Sequence, residues 1–491
     1  MALGQKVRPA TSEETENLRH IASSGLGRRD VQQLEGTGKD LEARLAGECR
    51  RRRGRLAIWS AETTWQHRPR QPACCDYDDV SRMTAGSSPL GQPLRALSNT
   101  LTEWRYVGGR RDERLDLLRG FAVFAMVADH VGGERSWLYT FTGGNAFFVS
   151  AAEGFVFISG LVMGIVYASI IRREGLRAAL VKALQRAWLL YTLTVSLTLV
   201  YAALAYKLDL PWAPQPGQVG LPEYVVGVIT LHRTFFMTDV LLLYTLLVLF
   251  AGIALALLAY RRGWLVLLGS WVLWALWQRW PDQAQFPWNI QDNAVFHFSA
   301  WQVLFITGLV MGYYRPDIGR RLARVPHWLR LVAPGLLLAG AIVLYRSEFQ
   351  QLSGRTPFSN SASAAAKLFA KEELRIGRLV VFAFVATFLL TLVTVVWMPI
   401  RRGLGWLLLP LGEHALGAYI GHLFVLAGIV KLVPLIVREG EPGIAQNTLF
   451  QLGSILVVWA AIKLKAQGQM ALRAMRELRN RVPALLRAQA R

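Results

Sequence analysis

The sequence predicts an all-α fold, namely a polytopic integral membrane protein of about ten transmembrane helices that follows a largely disordered N-terminal tail. Composition is the first reason: 53% of the residues are apolar and the mean hydropathy is +0.29, whereas soluble proteins contain roughly 45–50% apolar residues. The second reason is a series of stretches near the roughly 20 residues that cross a bilayer. They lie at 115–133, 144–171, 179–206, 237–260, 263–280, 296–314, 328–347, 376–399, 411–435 and 446–464.

The distribution of basic residues gives the third reason. Lys and Arg accumulate in short cytoplasmic loops, and here alternate connections are basic: Arg172, Arg173, Arg177 and Lys182, then Arg261 and Arg262, then Arg315, Arg320, Arg321, Arg324 and Arg330, then Arg401 and Arg402. The intervening connections are richer in Pro, Trp and Asn, except that 346–378 carries several basic residues. The alternation predicts that both termini are cytoplasmic. We attribute the net charge of +22 mainly to this basic side and expect no nucleic acid as a partner, since no nucleic-acid-binding motif accompanies it.

Both ends of the chain differ from its apolar body. Residues 1–109 are polar, include an arginine-rich run at 50–55 and lack apolar periodicity, so a disordered basic cytoplasmic tail is expected there. Met83 is an alternative start within it, and the tail opens with no signal peptide. Its cysteines, Cys49, Cys74 and Cys75, show neither a metal spacing nor a disulfide framework. Residues 110–465 form the predicted membrane domain, and 466–491 a basic amphipathic helix on the inner leaflet.

The first predicted span carries two ionisable residues on one face. Arg119 and His130 are eleven residues apart, which places them at nearly the same angle and roughly 16 Å apart along a helix. Ionisable side chains inside a span are costly and usually face a polar cavity. We therefore expect a functional site between these residues; the alternative is that Arg119 reaches the head groups and His130 caps the other end.

Further polar residues in the first three spans extend this candidate site. Asp116 is three residues before Arg119 and is expected to meet it. Glu153 in the second span lies in the same half of the membrane as His130, so it is expected to accept the imidazole N–H and raise the basicity of the ring. Asp129 is a second carboxylate beside His130. The alternative for Glu153 is an ion pair with Arg186 that locks two helices together.

Later spans add weaker candidates for substrate binding. Asp239 begins the fourth predicted span, and Trp301 and Gln302 begin the body of the sixth. His422 lies in the middle of a later span, where a histidine more often makes an interhelical hydrogen bond than takes part in a reaction. The tryptophans at 137, 212, 280 and 288 fit a membrane-interface belt or, outside the bilayer, platforms for sugar rings.

Several of these segments resemble a known family. LDLLRGFAVFAMVADH, with its R-x10-H spacing from Arg119 to His130, resembles the first-helix signature of the acyltransferase 3 superfamily of membrane acyltransferases. Within that group, RDERLDLLRG, AAEGFVFISG, DVLLLY and WQVLF most resemble the OpgC family, which succinylates osmoregulated periplasmic glucans. The resemblance spans roughly 110–465. One departure is FHFSAWQ, where His297 and Phe298 replace an expected Asn-Pro.

The resemblance implies an O-acyltransferase in the bacterial inner membrane that moves an acyl group, expected to be succinyl, from cytoplasmic acyl-CoA to hydroxyls of a periplasmic or cell-envelope glucan. Arg119 is then expected to hold a CoA phosphate and His130 to deprotonate the sugar hydroxyl, with Glu153 or Asp129 orienting the ring. Arg186 would be a second oxyanion contact. Beyond succinyl-CoA as donor substrate, no permanently bound cofactor and no metal are expected, and membrane lipids are the remaining partners.

Two other classes of function fit the same composition. A transporter or flippase for a glycan or lipid-linked sugar would also bury Arg, His and Glu in a helix bundle. That reading predicts repeated halves with broken helices, and the sequence shows no convincing repeat. A non-enzymatic membrane sensor would account for the tail but not for the aligned polar residues.

Overall fold

The computed structural model describes residues 105–106, 111–132, 135–142, 148–214, 220–322, 324–352, 368–437 and 441–489. Within these ranges the chain forms α-helices and no strand. The helices are α1 (Glu113–Gly132), α2 (Trp137–Thr142), α3 (Ala151–Glu174), α4 (Leu176–Lys207), α5 (Leu221–Ile229), α6 (Asp239–Ala259), α7 (Gly263–Arg279), α8 (Phe298–Tyr313), α9 (Arg315–Leu322), α10 (His327–Leu352), α11 (Ile376–Val395), α12 (Trp397–Glu413), α13 (Ala415–Ile436) and α14 (Ile444–Gln489). The all-α prediction is confirmed.

A helix lies at each of the ten apolar stretches predicted from the sequence. By length and composition, six helices among the described residues can cross a membrane: α3, α4, α6, α11, α13 and the first part of α14, Ile444–Gln469. Helix α8 is a shorter apolar helix. A multi-pass membrane protein is therefore confirmed, whereas the number of ten crossings stays a prediction. The expected disordered tail lies outside the described residues, apart from 105–106.

Local sequence explains where several helices begin and end. Ser150 and Glu153 form a capping box at the start of α3, which satisfies N–H groups that the first turn leaves unpaired. Gly175 ends α3 at φ 87°, a conformation that glycine adopts without steric cost. Pro399 lacks an N–H and so cannot continue the hydrogen-bond ladder of α11, but it is tolerated in the first turn of α12. The predicted span 376–399 is accordingly divided at Val396.

Helices α3 and α8 approach so closely that glycines are required between them. A Cβ atom on Gly160 would overlap the carbonyl oxygen of Phe305, and one on Gly308 would overlap that of Phe157. Gly164 and Gly312 make the same kind of reciprocal contact one turn further along. Because the residue numbers rise together, the two helices run parallel. Small residues four apart are the usual means by which membrane helices pack at this distance.

These two helices belong to a repeat that the sequence analysis missed. FISGLVMG at 157–164 and FITGLVMG at 305–312 differ at one position. Around them, α1, α3, α4 and α6 correspond in order to α7, α8, α10 and α11. The contact of α1 with α3 matches that of α7 with α8, and the contact of α4 with α6 matches that of α10 with α11. Across the repeat, α6 contacts α7 and α8 just as α11 contacts α1 and α3. The two four-helix units are thus related by an approximate two-fold axis along α3 and α8.

The remaining helices pack against the first repeat. Helix α12 lies antiparallel to α1, with Gly412 against the backbone of Asp116 and Gly120 against that of Leu408. Helices α13 and α14 contact each other and α1. The predicted span 411–435 begins only at Ala415, because the chain breaks at His414. The segment 466–491, predicted as a basic amphipathic helix, continues α14, which runs without interruption to Gln489. Its position on the inner leaflet stays a prediction.

Candidate functional site

Three cavities follow one another through the helix bundle, and we name them by the side on which the predicted topology places them. The inner cavity has a volume of about 620 Å³ and is lined by α1, α4, α13 and α14. The outer cavity, of about 490 Å³, is lined by the outer ends of α1, α3 and α6. The outer groove, of about 1110 Å³, lies between α4, α5 and the segment before α8. Arg119 lines the inner cavity and His130 the outer one, so one helix brings the predicted pair to two neighbouring cavities.

His130 is held by a second histidine. Its Nδ1 atom lies 3.2 Å from Nε2 of His422, while Nδ1 of His422 contacts the backbone carbonyl oxygen of Tyr419. A carbonyl oxygen only accepts, so a singly protonated His422 carries its proton on Nδ1 and accepts at Nε2. His130 therefore donates from Nδ1, and its Nε2 atom keeps the lone pair that a general base requires.

The carboxylate expected beside His130 has other partners. One oxygen of Glu153 accepts hydrogen bonds from the backbone N–H and the hydroxyl of Ser150 at 2.9 and 2.5 Å. The other forms an ion pair with Arg378 at 2.5 Å. The expected pairs of Glu153 with His130 and with Arg186 are both wrong, since neither appears in the hydrogen bonds of the described residues. Glu153 instead joins α3 to α11, and His422 takes the place beside the base.

Asp129 and Asp239 both reach the outer cavity. Asp129 accepts a hydrogen bond from Thr142 at 2.7 Å rather than one from His130. Asp239 begins α6, and one of its oxygens accepts the N–H of Val240 at 2.9 Å. Lys371 lines the same cavity. The cavity thus presents hydrogen-bond acceptors for hydroxyl groups, together with one cation, beside His130.

The inner cavity carries cations from α1, α4 and α14. Arg119 and Arg186 line it, as do Lys465 and Gln469 from α14. The expected pair of Asp116 with Arg119 is wrong, because Asp116 binds Arg111 at 2.6 Å. Arg119 is left without that partner and faces the cavity, where guanidinium and ammonium groups suit phosphate oxygens.

An aromatic wall separates the inner cavity from the outer one. Phe155, Val240 and Tyr419 line both cavities. The ring of Phe155 lies 5.6 Å from Tyr244 in an edge-on arrangement and 6.4 Å from Tyr419 in a stacked one. The hydroxyl of Tyr419 donates to the carbonyl of Met237, which fixes the wall to the segment before α6. A reacting group held in the inner cavity would meet His130 across this layer.

Two predicted binding residues lie elsewhere. Trp301 and Gln302 are 0% and 3% exposed and line none of these three cavities. Trp301 donates to the carbonyl of Val295 at 2.8 Å, and Gln302 is hydrogen-bonded to Ser270 of α7 at 2.6 Å. These contacts join α8 to its neighbours, and a role of the two residues in substrate binding stays a prediction.

The sequence analysis missed Lys371, Arg378, Tyr419 and Lys465 as site residues. Lys371 lies in the one outer loop that departs from the positive-inside pattern, and that departure was the available signal. Arg378 lies in the first turn of α11. A basic residue at the start of an apolar helix is common at the ends of membrane spans, so it gave no signal of a functional site. No group of three or more His, Cys, Asp or Glu side chains that could hold a metal is found in the described part of the chain.

The outer groove shares Phe236, Asp292 and Ala294 with the outer cavity. Asp292 forms an ion pair of 2.7 Å with Arg233, whose guanidinium lies 5.6 Å from the ring centre of Tyr224. Burial raises the pKa of Tyr224 to about 12, and the neighbouring charge of Asp292 acts in the same direction. Of the four tryptophans singled out in the sequence, only Trp212 lines this groove.

Comparisons with known proteins agree with the extent of this helical domain. The family model described as OpgC protein matches residues 111–469, a range that runs from the start of α1 into α14 and includes every cavity described above. Searches of curated proteins and of solved structures found no match. Since the family model covers well over half of the sequence, the chain belongs to the OpgC protein family.

Proposed function

We propose that this protein is a membrane-embedded O-acyltransferase that moves a succinyl group from cytoplasmic succinyl-CoA to hydroxyls of an extracytoplasmic glucan. The observation that carries the proposal is the position of His130, which lines the outer cavity and contacts His422 through Nδ1. Arg119 of the same helix lines the cationic inner cavity. Membership of the OpgC family supports a transferase of this kind. Ten crossings, cytoplasmic termini, a bacterial inner-membrane location and placement in the acyltransferase 3 superfamily belong to the same proposal.

The inner cavity is the proposed donor site. Phosphates of CoA would bind Arg119, Arg186 and Lys465, because fixed cations recognise phosphate oxygens through charge-assisted hydrogen bonds. The pantetheine arm then extends toward the wall formed by Phe155, Val240 and Tyr419, and the thioester lies at that wall. Reaching His130 from there requires the aromatic side chains of the wall to move aside.

The outer cavity is the proposed acceptor site. Asp129 and Asp239 accept hydrogen bonds from sugar hydroxyls, and His130 Nε2 removes the proton of the hydroxyl that attacks. The sugar oxygen then forms a bond to the acyl carbon, and the carbon–sulfur bond of the thioester breaks. The proton passes from the imidazolium of His130 to the departing CoA thiolate. Lys371, which lines the same cavity, would bind the free carboxylate of the succinyl group.

Transfer by the purified full-length protein tests this function. Succinyl-CoA and a glucan are mixed with protein in detergent, and free CoA and acylated glucan are measured by thiol titration and mass spectrometry. His130→Ala should lower the rate by about 10²–10⁴. His327→Ala is the matched control and should keep the wild-type rate, because His327 begins α10 and lines none of the three cavities. Wild-type protein that yields no acylated glucan, or a His130→Ala variant at full rate, contradicts the proposal.

Because the chain contains two similar four-helix units, transport is the second candidate function. Parallel repeats related by an axis along the membrane normal occur in transporters, whose substrate sites lie between the repeats. Here His130 and the outer cavity lie on α1, α3 and α6, within one repeat, with only the Lys371 side chain and the segment before α8 contributed by the second. This asymmetry favours the transferase. Uptake of labelled glucan into proteoliposomes without acylation would favour the transporter instead.

A further inference from the structure

The outer groove combines planar aromatic side chains with polar groups in a way that suits carbohydrate. The rings of Trp212 and Phe236 stack at 4.8 Å with 25° between their planes, and Phe236 is 40% exposed. Tyr206 and Tyr224 add further aromatic surface. The apolar face of an aromatic side chain packs against the C–H face of a pyranose ring.

The opposite side of the groove supplies hydrogen-bonding groups. Asn289, Gln291 and Asp292 are exposed, and they line the groove together with Arg233. Arg233 binds both Asp292 and Gln291, which holds these two side chains in place. Amide, carboxylate and guanidinium groups are the donors and acceptors that fix the orientation of a polar ligand. The hydroxyl of Tyr224 is buried and has no hydrogen-bond partner among the described residues.

The groove also borders the acceptor site. Phe236, Asp292 and Ala294 line both the groove and the outer cavity, so a linear chain of sugars with one unit beside His130 would lie along the groove. The backbone on this path is constrained: Met237 of the outer cavity and Asp292, which lines both, have φ values of 60° and 62°. Such conformations persist where the surrounding structure fixes them, and they are concentrated at functional sites.

From these observations we propose that the outer groove is a binding subsite for hexose units of an oligosaccharide acceptor that flank the unit being acylated. That the bound oligosaccharide is acylated rests on the proposed function, whereas its binding in the groove does not. Trp212 and Phe236 provide the stacking platform, and Asn289, Gln291 and Asp292 bind hydroxyls. The subsite selects long acceptors over single sugars because only a chain spans both the groove and the outer cavity.

Binding and transfer are measured separately so that the two proposals can fail independently. Binding of a glucan oligosaccharide of about ten units is followed by microscale thermophoresis. The His130→Ala protein is used because it should not acylate the oligosaccharide during the measurement. Adding Trp212→Ala should weaken that binding by about tenfold, as removal of a central aromatic contact commonly does. Gln291→Ala should weaken it as well. The matched control is Trp280→Ala, since Trp280 is 48% exposed and lies outside the groove.

Transfer is then compared between the oligosaccharide and a single hexose. In Trp212→Ala protein that is otherwise wild type, KM for the oligosaccharide should rise about tenfold while transfer to the single hexose is unchanged. Equal losses with both acceptors would indicate a merely structural role and overturn the subsite, as would unchanged oligosaccharide binding. Loss of a copurifying phospholipid in Trp212→Ala, with glycan binding intact, would assign the groove to lipid and likewise overturn it. Oligosaccharide binding that depends on Trp212 without any acyl transfer would support the subsite and contradict the proposed function.

Discussion

Glu153 and Arg378 form an ion pair of 2.5 Å between α3 and α11, and their side chains are 0% and 3% exposed. The pair joins the two repeats beside the outer cavity. Two charges so far from water are stable only together, because the attraction between them offsets the cost of removing each from water. Glu153 also fixes the start of α3, since it closes the capping box of that helix.

The first prediction concerns this ion pair. Arg378→Met should lower the stability by about 3–5 kcal/mol, because it leaves the carboxylate of Glu153 buried without its counter-charge. Adding Glu153→Gln should recover much of that loss, since the amide still accepts the N–H of Ser150. Thermal unfolding in detergent measures all three proteins. A double variant no more stable than Arg378→Met alone would show that the unpaired charge is not the cause.

The second prediction assigns His422 a positioning role. His422→Ala should lower kcat by about 10- to 100-fold, less than His130→Ala, because the base remains but its orientation and tautomer are no longer fixed. KM for succinyl-CoA should not change, and the pH profile of kcat should shift. His422→Gln keeps an acceptor for His130 Nδ1–H and should restore part of the rate. An unaltered pH profile in His422→Ala would indicate that His422 only fills space.

The third prediction concerns recognition of the acyl group by Lys371. Lys371→Met removes the cation of the outer cavity and should reduce transfer of succinyl relative to acetyl by about 10- to 100-fold, the usual effect of losing a hydrogen bond to a charged group. Competition between succinyl-CoA and acetyl-CoA measures the ratio. Lys431→Met is the control, because Lys431 binds the carbonyl of Asp209 at 2.9 Å, away from His130. An unchanged ratio would remove Lys371 from the acyl site.

The fourth prediction tests the duplicated helix pair. Gly160→Ala and Gly308→Ala should each destabilise the protein by about 1–3 kcal/mol, because the added methyl group meets backbone of the partner helix. The two effects should be similar, since the contacts are reciprocal. Gly154→Ala on α3, where a Cβ meets nothing within 4 Å, should be neutral or slightly stabilising. Melting temperatures in detergent give the comparison, and a large loss confined to one of the two glycines would contradict the two-fold relationship.

The fifth prediction concerns Asp112, which precedes α1 and binds Arg114 and Arg315. Burial favours the protonated form of Asp112, but the hydrogen bond and the charges of these two arginines outweigh burial and lower its pKa below 3.8. The ionised carboxylate therefore stabilises the folded state above the pKa of the unfolded chain, and this stability is lost as the pH falls through the lower folded pKa.

Melting temperatures of wild type and Asp112→Asn measure this effect. Wild type should be the more stable of the two at pH 7. Its advantage should shrink as the pH is lowered from about 5 toward 3, because Asp112 of the unfolded chain takes up a proton before Asp112 of the folded protein does. Asp317→Asn is the control, because Asp317 binds Arg320 at an exposed site where an ion pair contributes little. An advantage of wild type that is the same at pH 7 and pH 3 would contradict the assignment.

The sequence by itself determined the helical class, the position of each apolar helix and the placement of Arg119 and His130 on one helix. Hydropathy, loop charge and helical spacing are local properties, so they can be read from neighbouring residues. The repeat was also present in the sequence, in the segments 157–164 and 305–312. Its meaning became apparent only from the reciprocal contacts of Gly160 and Gly308.

Only the tertiary structure decided which side chains meet. His130 and His422 are 292 residues apart, and Glu153 and Arg378 are 225 apart. The sequence offers several carboxylates and cations as possible partners for each of these side chains. Spacing along the chain does not show which of these partners a given side chain contacts. Burial leaves each charge with the partner that helix packing brings within hydrogen-bonding distance. Packing therefore paired Glu153 with Arg378 and made a histidine, rather than a carboxylate, the partner of His130.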